Sequence, residues 1–146
     1  MDFDFARFAG ILVNSMPDAV IYADAQGLIR FWNNGAARIF GFAEADALGR
    51  SLDIIIPEAL RRRHWEGFNR TMLTGESHYQ AGALLSVPAI RKDGSRISVE
   101  FTIVPFHDEA GRMAGIAAVM RDVTKQFQEM RALREQVAAK KAQVQF

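Results

Sequence analysis

From Arg96 to Phe106 the chain alternates, with Ile97, Val99, Phe101 and Ile103 apolar and Ser98, Glu100 and Thr102 between them. Successive side chains of a strand point to opposite faces, so this pattern predicts a strand with one buried and one wet face. Turn sequences bracket it, Lys92-Asp93-Gly94 before and Asp108-Glu109-Ala110-Gly111 after. Each places a glycine where a short hairpin loop needs positive φ, and so folds the chain back antiparallel. The flanking runs, Tyr79 to Ile90 and Arg112 to Met120, are then its neighbours. Pro88 has no N–H for a ladder, which predicts an edge or a bulge there.

A second hairpin precedes this meander: Ala19 to Ala23 and Leu28 to Trp32, joined by Asp24-Ala25-Gln26-Gly27. Between the two lies Trp32 to Gly49. Asn33 or Asn34 can cap a brief helix of Ala36, Ala37, Ile39 and Phe40, which Gly41 ends in the left-handed conformation. Ala43 to Leu48 forms another single turn, stopped by Gly49. Helices this short do not stand alone, so they must lie against the sheet, leaving a covered face that is partly a pocket. Leu52 to Ile56 leads into Pro57, suited to the first position of a helix from Glu58 to about Leu73 that ends at Gly75. Its apolar stripe is Leu60, Trp65 (or His64), Phe68 and Met72, beside Arg61, Arg62 and Arg63.

The ends are helical. Phe5, Phe8, Ile11 and Leu12 have amphipathic spacing within Phe3 to Val13, and Asn14, Ser15 and Pro17 break the pattern. Asp122 to Gln145 reads as a long exposed helix with a seam of Val123, Phe127, Met130, Val137 and Val144, interrupted by Arg134 and Lys141. That is a weak coiled-coil pattern, suited to a dimer contact. The chain thus divides into a flanking helix (1–16), an α+β core (17–121) and an exit helix (122–146).

Composition removes several classes of function. A net charge of +1 gives no basic field for nucleic acid, and no run approaches the roughly eighteen apolar residues of a membrane span. The start, MDFDFARF, lacks a secretory pattern, so the cytoplasm is the expected compartment. With no Cys there is no disulfide, thiolate metal site or cysteinyl-flavin photochemistry. The 11 glycines are dispersed at turns without a nucleotide-binding loop. No nucleophile or second carboxylate joins Asp53 or Glu58, so an enzyme is not expected.

Pro17 to Phe42 (PDAVIYADAQGLIRFWNNGAARIFGF), Ala47-Leu48-Gly49, Ile56-Pro57, Arg91 to Phe101 (RKDGSRISVEF) and Met120 to Thr124 (MRDVT) carry a resemblance to the Per-Arnt-Sim (PAS) family of sensory domains. It covers about Asn14 to Thr124. The resemblance implies a five-stranded antiparallel sheet with short helices on one face, cradling a ligand pocket. It also implies a homodimer paired through the flanking helices, with Asp122-Val123-Thr124 resembling the family's Asp-Ile-Thr junction into a signalling helix. An output domain or partner protein would receive the signal.

Within that family, Arg61 to His78 is similar to the oxygen-sensing haem-PAS kinases. The similarity implies His64 as the axial ligand of haem b, with Arg70 and His78 near the propionates. Ile97, Val99, Phe101 and Ile103 would wall the pocket. Where that subgroup carries an oxygen-stabilising Arg, this chain has Leu84 or Leu85, and Phe101 is bulkier than the aliphatic residue in its place. An apolar distal side follows, better suited to carbon monoxide or nitric oxide than to stabilised oxygen. The alternative reading is a cofactor-free PAS module for dimerisation or protein interaction.

Overall fold

The Asp24 carboxylate closes the first hairpin, accepting from the amides of Gln26 (3.0 Å) and Leu28 (3.1 Å). It joins β1 (Ala19–Asp24) to β2 (Ile29–Trp32). The computed structural model describes residues 2–76 and 82–144. The predicted meander forms β3 (Leu85–Ile90), β4 (Arg96–His107) and β5 (Met113–Asp122). All pairings are antiparallel and the sheet order is β2-β1-β5-β4-β3. Pro88 therefore lies on an edge strand. Strand β3 starts at Leu85, later than the expected Tyr79; residues 79–81 lie outside the described residues, and Gly82 to Leu84 are not in the ladder.

Helix α1 (Phe5–Ser15) starts on Asp4, whose side chain accepts from the Arg7 amide. It continues through Asn14 and Ser15, which were expected to break it; only Pro17 stops it. Helix α2 (Asn34–Phe40) is capped by Asn33 and ended by Gly41 at φ 84°. Helix α3 (Glu44–Ala47) and a 3-10 turn (Leu52–Ile55) follow. Pro57 precedes α4 (Glu58–Thr74) as its cap residue, one position earlier than expected, because its ψ of 138° is extended. Helix α5 (Thr124–Val144) leaves directly from β5. Among the described residues no helix is long and apolar enough to cross a membrane.

The core lies between the sheet and α2, α3 and the 3-10 turn, and contains Ile21, Ile29, Trp32, Phe40, Ile55, Ile97 and Val99. Trp32 is 1% exposed, and its indole N–H donates to the Phe42 carbonyl at 3.0 Å, so a large apolar ring is buried without an orphaned polar atom. On β4, Ile97 and Val99 are buried while Phe101 and Ile103 are half-buried. The alternate face is not fully wet as expected: Ser98, Glu100 and Thr102 are half-buried. The root of α5 reaches the start of this strand, where the Val123 amide donates to the Ser98 carbonyl and Thr124 Oγ1 accepts from the Ser98 amide. Beyond that root α5 has no buried residue, nor has α1. Both expose apolar side chains, among them Phe5, Phe8, Ile11, Phe127, Met130 and Val137.

Candidate functional site

Helix α4 is the longest helix against the sheet, and Phe68 and Thr71 are its buried residues. Its first half is tied down by polar side chains. The Arg61 guanidinium donates to the Ile56 carbonyl (3.1 Å) and the Asp53 carbonyl (3.2 Å). The Trp65 indole N–H donates to Asp53 Oδ1 at 2.7 Å. The Trp65 ring also covers the first hairpin turn, where a Cβ on Gly27 would fall 2.3 Å from it. One turn of α4 is thereby fixed to two loops, and His64 is held within that turn.

The His64 ring lies edge-on to Trp65 (centroids 4.7 Å apart) and tilted against Phe68 (5.9 Å). Its Nδ1 is buried and has no hydrogen-bond partner among the described residues. Burial lowers its pKa below the ordinary histidine value, and the Asp53 carboxylate only partly opposes this. The neutral imidazole is therefore favoured at neutral pH, keeping a ring nitrogen with a lone pair for coordination.

A pH dependence of stability follows. The unfolded chain binds a proton on His64 before the folded one does, so this group's contribution is complete above about pH 6.5 and is lost as pH falls below it. In metal-free protein, His64→Leu should shrink the loss of melting temperature between about pH 7.5 and pH 5.5 relative to the parent chain. An unchanged loss would mean that His64 does not resist protonation.

The other expected site residues are distributed unevenly. Arg70 is exposed on α4. His78 lies outside the described residues. Leu84 is 64% exposed and precedes the strand, whereas Leu85 is half-buried opposite Phe101. Of the two leucines, Leu85 holds the strand position. Phe101 pairs with Met120 and Ile103 with Ala118, so Leu85, Phe101 and Ile103 form a donor-free apolar wall on the sheet.

Among the described residues no group of three or more His, Asp and Glu side chains could hold a metal ion. A single imidazole suits a metal that brings its remaining donors with it, as the iron of a porphyrin does. The His64 ring, its pKa lowered and its Nδ1 without a partner among the described residues, has the donor chemistry such a group would need, and the exposed Arg70 could pair with its carboxylates. Sequence reading missed the Asp53–Trp65 bond and the burial of Thr71. A carboxylate twelve residues before a Trp has no local signature.

Residues 13–128 match the family described as PAS fold. An uncharacterized protein of Azorhizobium caulinodans is 37% identical over 123 residues, covering 84% of this chain and 16% of that protein. The sensor protein FixL of Bradyrhizobium diazoefficiens is 30% identical over 129 residues, 85% of this chain and 24% of that one. The oxygen sensor protein DosP of Escherichia coli is 25% identical over 111 residues, 76% of this chain and 14% of that one. The chain thus spans less than a quarter of the length of each of these curated relatives. Among solved structures, a PAS domain from Colwellia psychrerythraea superimposes with a TM-score of 0.72 at 21% identity, covering 84% of this chain and 99% of that one. The extent of the family match, together with the five-stranded antiparallel sheet and its helical cover, shows that the chain belongs to the PAS family of sensory domains.

Proposed function

We propose that this PAS sensory domain holds haem b through His64, responds to a diatomic gas, and passes the change through α5 within a homodimer. The observation that carries this reading is the half-buried His64 imidazole, its pKa lowered by burial, whose buried Nδ1 has no partner among the described residues. Haem, when bound, would supply an iron centre that takes up a gas molecule. His64 would hold it, and Arg70 and His78 would donate to its carboxylates. Leu85, Phe101 and Ile103 offer no hydrogen bond to a gas, which favours carbon monoxide or nitric oxide over stabilised oxygen. Relatives named as a sensor protein and an oxygen sensor protein support the reading.

The exposed apolar residues of α1 and α5 favour pairing with a second copy of the chain. The junction Asp122 to Thr124 joins sheet to exit helix, so a changed sheet biases the helix that an output domain or partner protein reads. No catalytic step is assigned, and the cytoplasm is the proposed compartment.

Protein produced with a supply of haem should show a Soret band, and His64→Ala should lose it. Absence of the band, or its persistence in His64→Ala, removes the proposed ligation. Sedimentation of the same preparations should show a dimer; a monomer removes the second half of the proposal. A dimer without a Soret band favours the cofactor-free interaction module, which the same apolar surfaces of α1 and α5 support.

A further inference from the structure

Arg38, Arg91 and Arg121 converge on a cleft of about 390 Å3, whose other charged walls are Asp18 and Asp122 and whose apolar floor includes Ile39. Asp18 is met by a cation, whereas the hydrogen bonds of Asp122 come from neutral donors. Asp18 accepts from Arg121 at 3.3 and 3.2 Å. Asp122 Oδ1 accepts from the amide and the hydroxyl of Thr124 at the start of α5. The arginines are less well matched. Arg38 donates to the Pro17 carbonyl, which carries no charge to neutralise it. Among the described residues Arg91 forms no ion pair within 4 Å, although the Asp93 carboxylate, held low first by Ser95, also feels its charge, and its Nε is buried without a hydrogen-bond partner.

A buried guanidinium N–H lacking an acceptor is unfavourable, and three guanidinium groups against two carboxylates leave the cleft lining with an excess of one positive charge that an anion would offset. We propose that this cleft is a binding site for a small oxyanion, a phosphomonoester or a carboxylate, with Arg91 and Arg38 as its donors. The planar fork of arginine presents paired N–H groups that match two oxygens of either ligand. The site is independent of any group held by His64.

Its place in the fold gives it a consequence. Asp18 lies just after α1, and Arg121 and Asp122 end β5 where α5 begins. The Arg121–Asp18 pair thus joins the chain entering the sheet to the chain leaving it. With the Arg121 side chain 68% exposed, that pair is weak and exchangeable. An anion in the cleft competes with Asp18 for Arg121 and so acts at the roots of both flanking helices.

The full chain, titrated at fixed ionic strength with inorganic phosphate and separately with succinate, tests this by amide chemical shifts. A saturable shift at Arg38, Arg91 and Arg121 is expected in at least one arm. A response to phosphate alone assigns a phosphomonoester, and a response to succinate alone assigns a carboxylate. Arg91→Gln should weaken binding about tenfold, the loss of one charge-assisted contact, with a melting temperature no lower than the parent's in the absence of anion. Arg38→Gln, on an exposed side chain, should weaken it in the same direction and serves if Arg91→Gln disturbs folding. Failure to saturate in the millimolar range in both arms, or unaltered affinity in Arg38→Gln and a folded Arg91→Gln, overturns the proposal.

Discussion

Gly35→Val should abolish the cooperative unfolding transition, and Gly35→Ala should lower the melting temperature by at least about 10 °C, the equivalent of several kcal/mol in a domain of this size. Gly35 is the second residue of α2, and the chain from Met16 to Asp18 passes directly over it. A Cβ there would lie 2.0 Å from the Asp18 carbonyl oxygen, 2.6 Å from its carbon and 2.8 Å from the Met16 carbonyl oxygen. All three are backbone atoms, so no rotamer change relieves the overlap. Either α2 moves off the sheet, uncovering Phe40 and Trp32, or the α1–β1 connection is displaced. Gly67 on α4 is the control, because nothing lies within 4 Å of a Cβ built there. Gly67→Ala should be neutral or stabilising by up to about 1 kcal/mol, since alanine loses less backbone entropy in a helix. Thermal unfolding followed by circular dichroism reads both. A Gly35→Ala protein melting within a few degrees of the parent would show that the contact is not as close as drawn.

Asn33→Leu should cost about 4 kcal/mol or more, because it strands several buried backbone groups at once. Asn33 is 1% exposed and uses its full hydrogen-bonding capacity. Its Oδ1 accepts from the amides of Val20 (2.8 Å) and Ala36 (2.9 Å), and its Nδ2 donates to the carbonyls of Val13 (2.7 Å) and Asp18 (3.0 Å). One amide thus ties α1, the chain entering β1 and the N-terminus of α2 together. Leucine shares its branching at Cγ, is larger, and satisfies none of them. Asn33→Asp keeps both acceptor bonds but sets a negative charge against two carbonyl oxygens, so it should also destabilise. Urea unfolding gives the magnitude and amide exchange gives the location. Faster exchange across Phe5–Ser15 is expected even under conditions where the sheet stays protected. Equal protection of α1 in parent and variant would show that Asn33 does not hold that helix.

The contrast between these residues and the strands shows what the sequence discloses. Strand β4 was legible because its pattern is local: alternation sets the face, and Gly94 and Gly111 set the turns. A cap at Asn33 or Asn34 was legible for the same reason, and the bond from the Ala36 amide, three residues on, selects Asn33. Its hold on Val13, Asp18 and Val20 was not, because those partners lie 13 to 20 residues back in the chain. Gly35 carries no conformational signature at all; only the crossing of another segment makes a side chain intolerable there. Half of the candidate site behaves similarly. The positions of His64 on α4 and of Phe101 and Ile103 on β4 were readable from spacing, whereas a ligand role for His64 came from the resemblance alone. The burial of the His64 Nδ1 without a partner depends on Trp65 being drawn to Asp53 across a turn. The three arginines of the second cleft come from α2, the end of β3 and the end of β5, and only the completed sheet brings them together.

Ser98 shares both its backbone groups with Val123 and Thr124, so the exit helix is sewn to the sheet at its first residues and at no buried point beyond. Mechanically this is a lever with a short, clamped fulcrum. Twenty-one residues at about 1.5 Å each give an arm of roughly 30 Å, so a tilt of about 5° at Ser98 sweeps Val144 through roughly 3 Å. Sub-ångström adjustments in the curvature of β4 and β5 would thereby be amplified into displacements of several ångströms at the far end of the helix.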